Sequence, residues 1–136
     1  MARLQLRHKM EKVSTLHMKH LLIVDDEPAI RLLLREVFQK EGFETTLAAN
    51  GQEAIALCEQ QTFDCALLDM RMPGMTGLET LTKIRDMGME LPVIMMTAYG
   101  ERDLIERAQQ LGIKGYFTKP FNIFDIRDAV QKIFAT

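Results

Sequence analysis

Short runs of apolar residues alternate along the chain with longer segments in which apolar residues recur every three or four positions. Runs of the first kind are typical of β-strands, and segments of the second kind are typical of amphipathic helices. Residues 21–24, 65–68 and 93–96 show no polar alternation, which indicates strands that are buried on both faces of a sheet. The more mixed runs at residues 43–48 and 114–118 predict the two edge strands of the same five-stranded sheet.

Five helices are predicted between and after these strands. Apolar residues recur at helical spacing from Ile30 to Phe38, from Leu104 to Leu111 and from Ile123 to Ile133. Two further helices follow the turn-forming pairs Asn50-Gly51 and Thr76-Gly77. A regular alternation of strands with helices favours an α/β fold that is built on a parallel sheet.

The bulk composition is that of a single globular domain. The chain has 136 residues, of which 47% are hydrophobic and 26% are charged, a mixture that suits one core. The sequence contains no long apolar segment and no cleavable signal, so we expect a cytoplasmic protein that does not associate with membranes. Two cysteines, Cys58 and Cys65, are too few for a zinc site or a disulfide framework, and we expect both to be reduced packing residues.

Charge is distributed unevenly along the chain. The formal net charge is −2, but residues 1–20 carry five Lys or Arg side chains against the single Glu11, which gives this segment +4 and leaves −6 for the rest. A basic segment could contact nucleic acid or an anionic membrane, yet this one contains no aromatic residue. We therefore expect residues 1–18 to form a disordered basic leader and residues 19–136 to form the folded domain.

Polar side chains follow the carboxyl ends of the predicted strands. Asp25 and Asp26 follow the first strand, and Asp69 follows the third. Thr97 and Lys119 come after the fourth and fifth strands. In an open α/β sheet the ligand crevice lies beyond these ends, at the point where the strand order reverses. Each residue alone has an ordinary interpretation as a helix cap, a turn residue or a solvated charge, but three clustered carboxylates require a cation, and Mg²⁺ suits such oxygen ligands.

The identity and order of these motifs resemble a known family. The segments LLIVDDE, LLDMRMPGM, TAYG and KPF, in that order, match the response-regulator receiver domain over residues 19–136. The resemblance implies a flavodoxin-like, doubly wound (βα)5 sheet with the strand order 2-1-3-4-5. Within the family, the segments are most similar to the single-domain receivers of sporulation phosphorelays.

The resemblance also implies the chemistry of the site. Asp69 would be the nucleophile that takes a phosphoryl group from the phosphohistidine of a sensor histidine kinase, in an Mg²⁺-dependent, phosphotransferase-like reaction. The ion, for which Mn²⁺ could substitute, would be held by Asp26, Asp69 and the backbone carbonyl of Arg71. Asp25 would contact the ion through water.

The same resemblance implies roles for other residues that would lie near the phosphoryl group. Lys119 would pair with the phosphoryl group, and Thr97 would donate its hydroxyl to it. The Lys119-Pro120 bond has a cis parallel in the family, with a trans turn as the alternative. Tyr116 stands where many receivers have an aromatic switch that turns inward, and a plain edge-strand tyrosine is the alternative.

Apolar residues around the predicted site form a candidate partner surface. This surface comprises Ile30, Leu33, Tyr99, Pro120 and Phe121. An apolar rim of this kind can dock the helix of a partner protein, which here would be a histidine phosphotransferase. Core packing is the alternative for Ile30 and Leu33, whereas we expect Phe121 to be exposed.

Two functions are consistent with these motifs. A monomeric phosphorelay regulator that binds no nucleic acid would pass the phosphoryl group from Asp69 to a histidine phosphotransferase. A stand-alone, chemotaxis-type receiver would instead bind an effector when it is phosphorylated. A flavodoxin-type cofactor binder is disfavoured because the acids after the first strand would repel a phosphate, and a histidine phosphotransferase is disfavoured because no histidine follows His20.

Overall fold

The computed structural model describes residues 18–135, which form a five-stranded parallel sheet between two layers of helices. The strands are β1 (His20–Val24), β2 (Glu44–Ala48), β3 (Cys65–Asp69), β4 (Val93–Thr97) and β5 (Gly115–Thr118). The helices are α1 (Pro28–Lys40), α2 (Gly51–Gln60), α3 (Gly77–Asp86), α4 (Arg102–Gln110) and α5 (Ile123–Phe134). Strands and helices alternate from β1 to α5, as the hydrophobic pattern predicts.

The strand order is β2-β1-β3-β4-β5, and every neighbouring pair is parallel. This order confirms the predicted fold class. β1, β3 and β4 occupy the three central positions, and every residue of β3 and β4 is buried. Because β2 lies on one side of β1 and β3 lies on the other, the strand order reverses beside β1, where a ligand crevice is expected.

The hydrophobic core lies on both faces of the sheet. Helices α1 and α5 cover one face, with Phe38 fully buried, and helices α2, α3 and α4 cover the other, with Leu81 fully buried. Cys58 and Cys65 are free and buried in this core, in agreement with their predicted packing role. Coverage of both faces explains why the central strands are continuous apolar runs.

Side-chain caps fix where three of the helices begin. Thr76 Oγ1 accepts a hydrogen bond from Glu79 N, and Glu79 Oε1 accepts one from Thr76 N, so the two residues form a reciprocal capping box at α3. Asn50 and Asn122 cap α2 and α5 through their side-chain oxygens. Each cap places the start of a helix just beyond the carboxyl end of a strand.

Strand bounds differ from the predicted bounds by one residue. β3 and β4 extend one residue beyond their apolar runs, so Asp69 and Thr97 are the last residues of these strands. In the sheet register Asp69 pairs with Met96, and Thr97 pairs with Thr118. The sheet itself therefore fixes the position of both polar residues.

The predicted leader falls almost entirely outside the described residues, so its separation from the domain stays a prediction. Between residues 18 and 135, no helix combines the length and the apolar character that are needed to cross a bilayer.

Candidate functional site

The acidic residues predicted to hold a metal lie together at the carboxyl edge of the sheet. Asp25 directly follows β1 and is fully buried, Asp26 is half-buried, and Asp69 is buried at the end of β3. One carboxylate oxygen from each of Asp25, Asp26 and Glu27 lies within 4.8 Å of the other two. The structure thus brings together carboxylates from β1 and β3 at the point where the strand order reverses.

Lys119 reaches into this acidic cluster from the loop after β5. Its Nζ lies 2.7 Å from Asp25 Oδ2, 3.2 Å from Glu27 Oε1 and 3.5 Å from Asp69 Oδ1. Burial alone would lower the pKa of Lys119, but the hydrogen bond to Asp25 and the charge of Asp69 outweigh burial and raise this pKa above its ordinary value. Lys119 is therefore a stable cation at the centre of the site. The Lys119-Pro120 peptide bond is cis, as in the family parallel.

The surroundings of Asp69 disfavour its charged form. Burial raises the pKa of this carboxyl from 3.8 to about 7, and the charge of Asp25 contributes to the increase. Lys119 opposes the increase, whereas a hydrogen bond with Asp26 adds to it. A divalent cation among these oxygens would offset the repulsion and favour the ionised carboxylate. Oxygen donors of this type and charge fit Mg²⁺.

Thr97 ends β4, the strand beside β3, and Tyr116 lies within the edge strand β5. Thr97 is fully buried, and its Oγ1 lies 3.5 Å from Thr118 Oγ1. Tyr116 points outward and lines a surface groove together with Ala98 and Thr118. An outward tyrosine agrees with a resting switch and with a plain edge-strand residue, so both interpretations of Tyr116 stay open.

The residues of the candidate partner surface differ in exposure. Tyr99 is 94% exposed, Leu33 is 48% exposed, and Pro120 is also exposed. Ile30 is half-buried and packs against the core beneath α1, in agreement with the packing alternative. The predicted exposure of Phe121 is wrong, because its side chain is half-buried against the same core. Phe121 immediately precedes the cap of α5, where an apolar residue commonly packs back against the helix.

Two glutamates contact the site although they were not predicted as site residues. Glu27 pairs with Lys119, and its only sequence signal is its place directly after the acid pair. Glu101 is 8% exposed, and its Oε1 accepts a hydrogen bond of 2.7 Å from Ala98 N. Its Oε2 pairs with Arg71 Nε. An acid just before a helix is ordinarily interpreted as a cap, yet Glu101 makes no side-chain capping bond.

Comparison with known proteins agrees with this geometry. The family profile of the response regulator receiver domain matches residues 21–131. The chain belongs to the response regulator receiver family. This receiver is 49% identical over 112 residues to the sporulation initiation phosphotransferase F of Bacillus subtilis (strain 168), a match that covers 82% of this chain and 90% of that protein.

Solved structures of other receivers share the fold. The response regulator TrrA of Thermotoga maritima, in complex with Mg(2+)-BeF, is 37% identical with a TM-score of 0.76, over 85% of this receiver and 99% of that chain. The chemotaxis protein CheY4 of Vibrio cholerae is 30% identical with a TM-score of 0.79, over 85% of this receiver and 98% of that chain. The TrrA structure contains Mg²⁺, the ion that fits the acidic cluster of this receiver.

Proposed function

We propose that this receiver is a phosphorelay response regulator, which accepts a phosphoryl group on Asp69 and passes it to a histidine. The donor is the phosphohistidine of a sensor histidine kinase, and the acceptor is a histidine phosphotransferase. The observation that carries the proposal is the position of Asp69, a buried carboxylate with Lys119 Nζ 3.5 Å away and Asp25 and Asp26 beside it. The identity to a sporulation initiation phosphotransferase over 90% of its length supports the relay.

The chain's own residues account for the main requirements of phosphoryl transfer. A carboxylate oxygen of Asp69 attacks phosphorus, so that a P–O bond forms while the P–N bond of the phosphohistidine breaks and the imidazole leaves. Lys119 is held where its charge can stabilise the equatorial oxygens of the transferring group. Thr97, at the end of the adjacent strand, donates its hydroxyl to the same group. Transfer to the next histidine is the reverse of this step, in which Asp69 becomes the leaving group.

Several contacts support the proposed metal ligands. When bound, Mg²⁺ would supply the positive charge that offsets the acids and the phosphoryl oxygens. Asp26, Asp69 and the Arg71 carbonyl would hold it directly, and no backbone N–H of residues 18–135 donates to that carbonyl. Both oxygens of Asp25 already accept hydrogen bonds, from Glu27 N and from Lys119 Nζ, which supports a role through water. Mn²⁺ should substitute, because the same oxygen ligands suit both ions.

The exposure of three residues supports the proposed partner surface. Leu33, Tyr99 and Pro120 are free to contact a helix of the phosphotransferase, whereas Ile30 and Phe121 contribute only their accessible edges. We further propose that the receiver works as a monomer in the cytoplasm, with its two protein partners approaching the apolar rim in turn.

A second candidate function is that of a chemotaxis-type receiver, which binds an effector when phosphorylated. The likeness to a chemotaxis protein favours it, although the 30% identity is lower than the 49% identity to the phosphotransferase. The outward side chain of Tyr116 is available for such a switch.

A transfer assay separates the two functions. The receiver is phosphorylated with radiolabelled phosphate by a histidine kinase of the source organism, the kinase is removed, and each histidine phosphotransferase of that organism is added. We expect the label to leave Asp69 and to be recovered on a phosphotransferase histidine. Label that stays on Asp69 while the affinity for another target protein rises would contradict the relay and support the chemotaxis-type function.

A further inference from the structure

Two loops beside the site are joined by one buried carboxylate. Arg71 lies in the loop after β3, two residues beyond Asp69, and its Nε donates to Glu101 Oε2. Ala98, in the loop after β4, donates its backbone N–H to Glu101 Oε1 at 2.7 Å. We call these three residues the Arg71–Glu101 clasp. Both carboxylate oxygens of Glu101 are therefore occupied, one by each loop.

The clasp differs from an ordinary surface ion pair. The Glu101 residue is only 8% exposed, although the Arg71 side chain is 67% exposed. A carboxylate that is so buried is stable only when its oxygens have partners, whereas an exposed pair contributes little. Glu101 also makes no capping bond to α4. Its side-chain hydrogen bonds therefore hold the two loops together and do not cap the helix that it precedes.

The clasp acts on a residue that lies between two buried methionines of the loop after β3, Met70 and Met72. The preceding Met70 is held by two backbone hydrogen bonds, from its N–H to Met96 O at 2.7 Å and from Gly77 N to its carbonyl at 2.8 Å. The Arg71 carbonyl receives no backbone N–H from residues 18–135. Among residues 18–135, the bond to Glu101 is the one hydrogen bond that Arg71 makes, and it limits the conformations that this residue can adopt.

We infer that Glu101 is a positioning residue for the divalent cation, which it serves by fixing Arg71 so that the Arg71 carbonyl faces the metal site. The inference rests on the proposed function, in which this carbonyl is a metal ligand. Groups that orient the ligands of a metal typically change its affinity by about 10- to 100-fold when they are removed. Glu101 thereby links the loop after β4, which begins directly after Thr97, to a residue that would hold the cation.

Charge alone predicts a different pattern from positioning. If the two side chains acted only through their charges, removal of the Arg71 cation would strengthen Mg²⁺ binding, and removal of the Glu101 anion would weaken it. If they act by orienting the carbonyl, either removal weakens Mg²⁺ binding. Removal of both should then be no worse than removal of one, because each change breaks the same contact.

Calorimetric titration of Mg²⁺ into the purified receiver tests the inference. The proteins are the wild type, Arg71→Gln, Glu101→Gln, the double variant, and Glu106→Gln as a control, which makes the same charge change at an exposed position of α4. We expect about tenfold weaker binding in both single variants and in the double variant, and no change in the control. Thermal unfolding in Mg²⁺-free buffer is measured on the same proteins, because a purely structural role would lower the unfolding temperature and leave the dissociation constant unchanged.

The outcomes separate failure of the inference from failure of the proposed function. Tighter Mg²⁺ binding by Arg71→Gln, or unchanged binding by Glu101→Gln, in a receiver whose wild type binds the ion, would overturn the positioning role alone. A wild-type receiver that binds no Mg²⁺ would overturn the proposed metal site and the positioning role together.

Discussion

We expect Asp69→Asn to abolish phosphorylation of the receiver by a histidine kinase in the presence of Mg²⁺. An amide oxygen is a far weaker nucleophile than a carboxylate, and asparagine also replaces a charged metal ligand with a neutral one. The amide has nearly the same size as the carboxyl, so the packing at the end of β3 is kept. The measurement is incorporation of radiolabelled phosphate from the phosphorylated kinase. Asp86→Asn, at an exposed position that ends α3, is the matched control and should be labelled like the wild type.

Stability measurements on the same variant test whether unfolding causes the lost labelling. In Mg²⁺-free buffer the folded chain holds the pKa of Asp69 at about 7, compared with 3.8 for the ordinary carboxyl. The folded state therefore binds this proton more tightly than the unfolded state, and ionisation of Asp69 lowers the stability of the wild type as the pH rises from about 4 to about 7.

Asparagine does not ionise, so the variant does not lose stability in this way as the pH rises. Asp69→Asn should match the wild type near the lower end of that pH range and exceed it above the upper end by on the order of 3 kcal/mol in the free energy of unfolding. Urea denaturation at several pH values measures the difference. A variant that is less stable than the wild type at pH values above that range would contradict the repulsion ascribed to the acidic cluster.

Gly77→Ala should strongly destabilise the end of β3, which positions Asp69. A Cβ at position 77 would lie 2.0 Å from the carbonyl oxygen of Asp69 and 2.7 Å from Met70 Cα. Both atoms belong to the backbone, and neither can move aside unless the end of β3 shifts. We expect a loss of about 3 kcal/mol in the free energy of unfolding, measured by urea denaturation, together with slower phosphorylation of the displaced Asp69.

Gly115→Ala is the matched control for this prediction. A Cβ at position 115 would meet no heavy atom within 4 Å, and the residue is not among those with positive φ. Its effect on the free energy of unfolding should stay within about 1 kcal/mol. Equal destabilisation by the two substitutions would show that the close approach of Gly77 to β3 is not the cause.

The fold could be predicted largely from the hydrophobic pattern. β3 and β4 are buried on both faces, and their uninterrupted apolar runs indicate this directly. The strand order came from the family resemblance, because periodicity alone does not say which parallel strands are neighbours. Convergence of Asp25, Asp69 and Lys119 followed from a general property of parallel sheets, in which the strand ends meet at one edge.

What could not be predicted depends on how loops fold. Arg71 and Glu101 are 30 residues apart in sequence, and their contact requires particular conformations of the loops after β3 and β4. No periodic pattern encodes such a contact. Phe121 was misjudged for a related reason, because its burial depends on how the chain enters α5 and not on the polarity of its neighbours.

Intact-mass spectrometry after incubation with acetyl phosphate tests most directly whether Asp69 is a magnesium-dependent phosphoryl acceptor. With Mg²⁺ present, we expect the receiver to gain the mass of one phosphoryl group, located by peptide mapping on the fragment that contains Asp69. After chelation of divalent cations we expect no gain in mass. Equal labelling without a divalent cation, or a phosphoryl group on another residue, would contradict the proposed site.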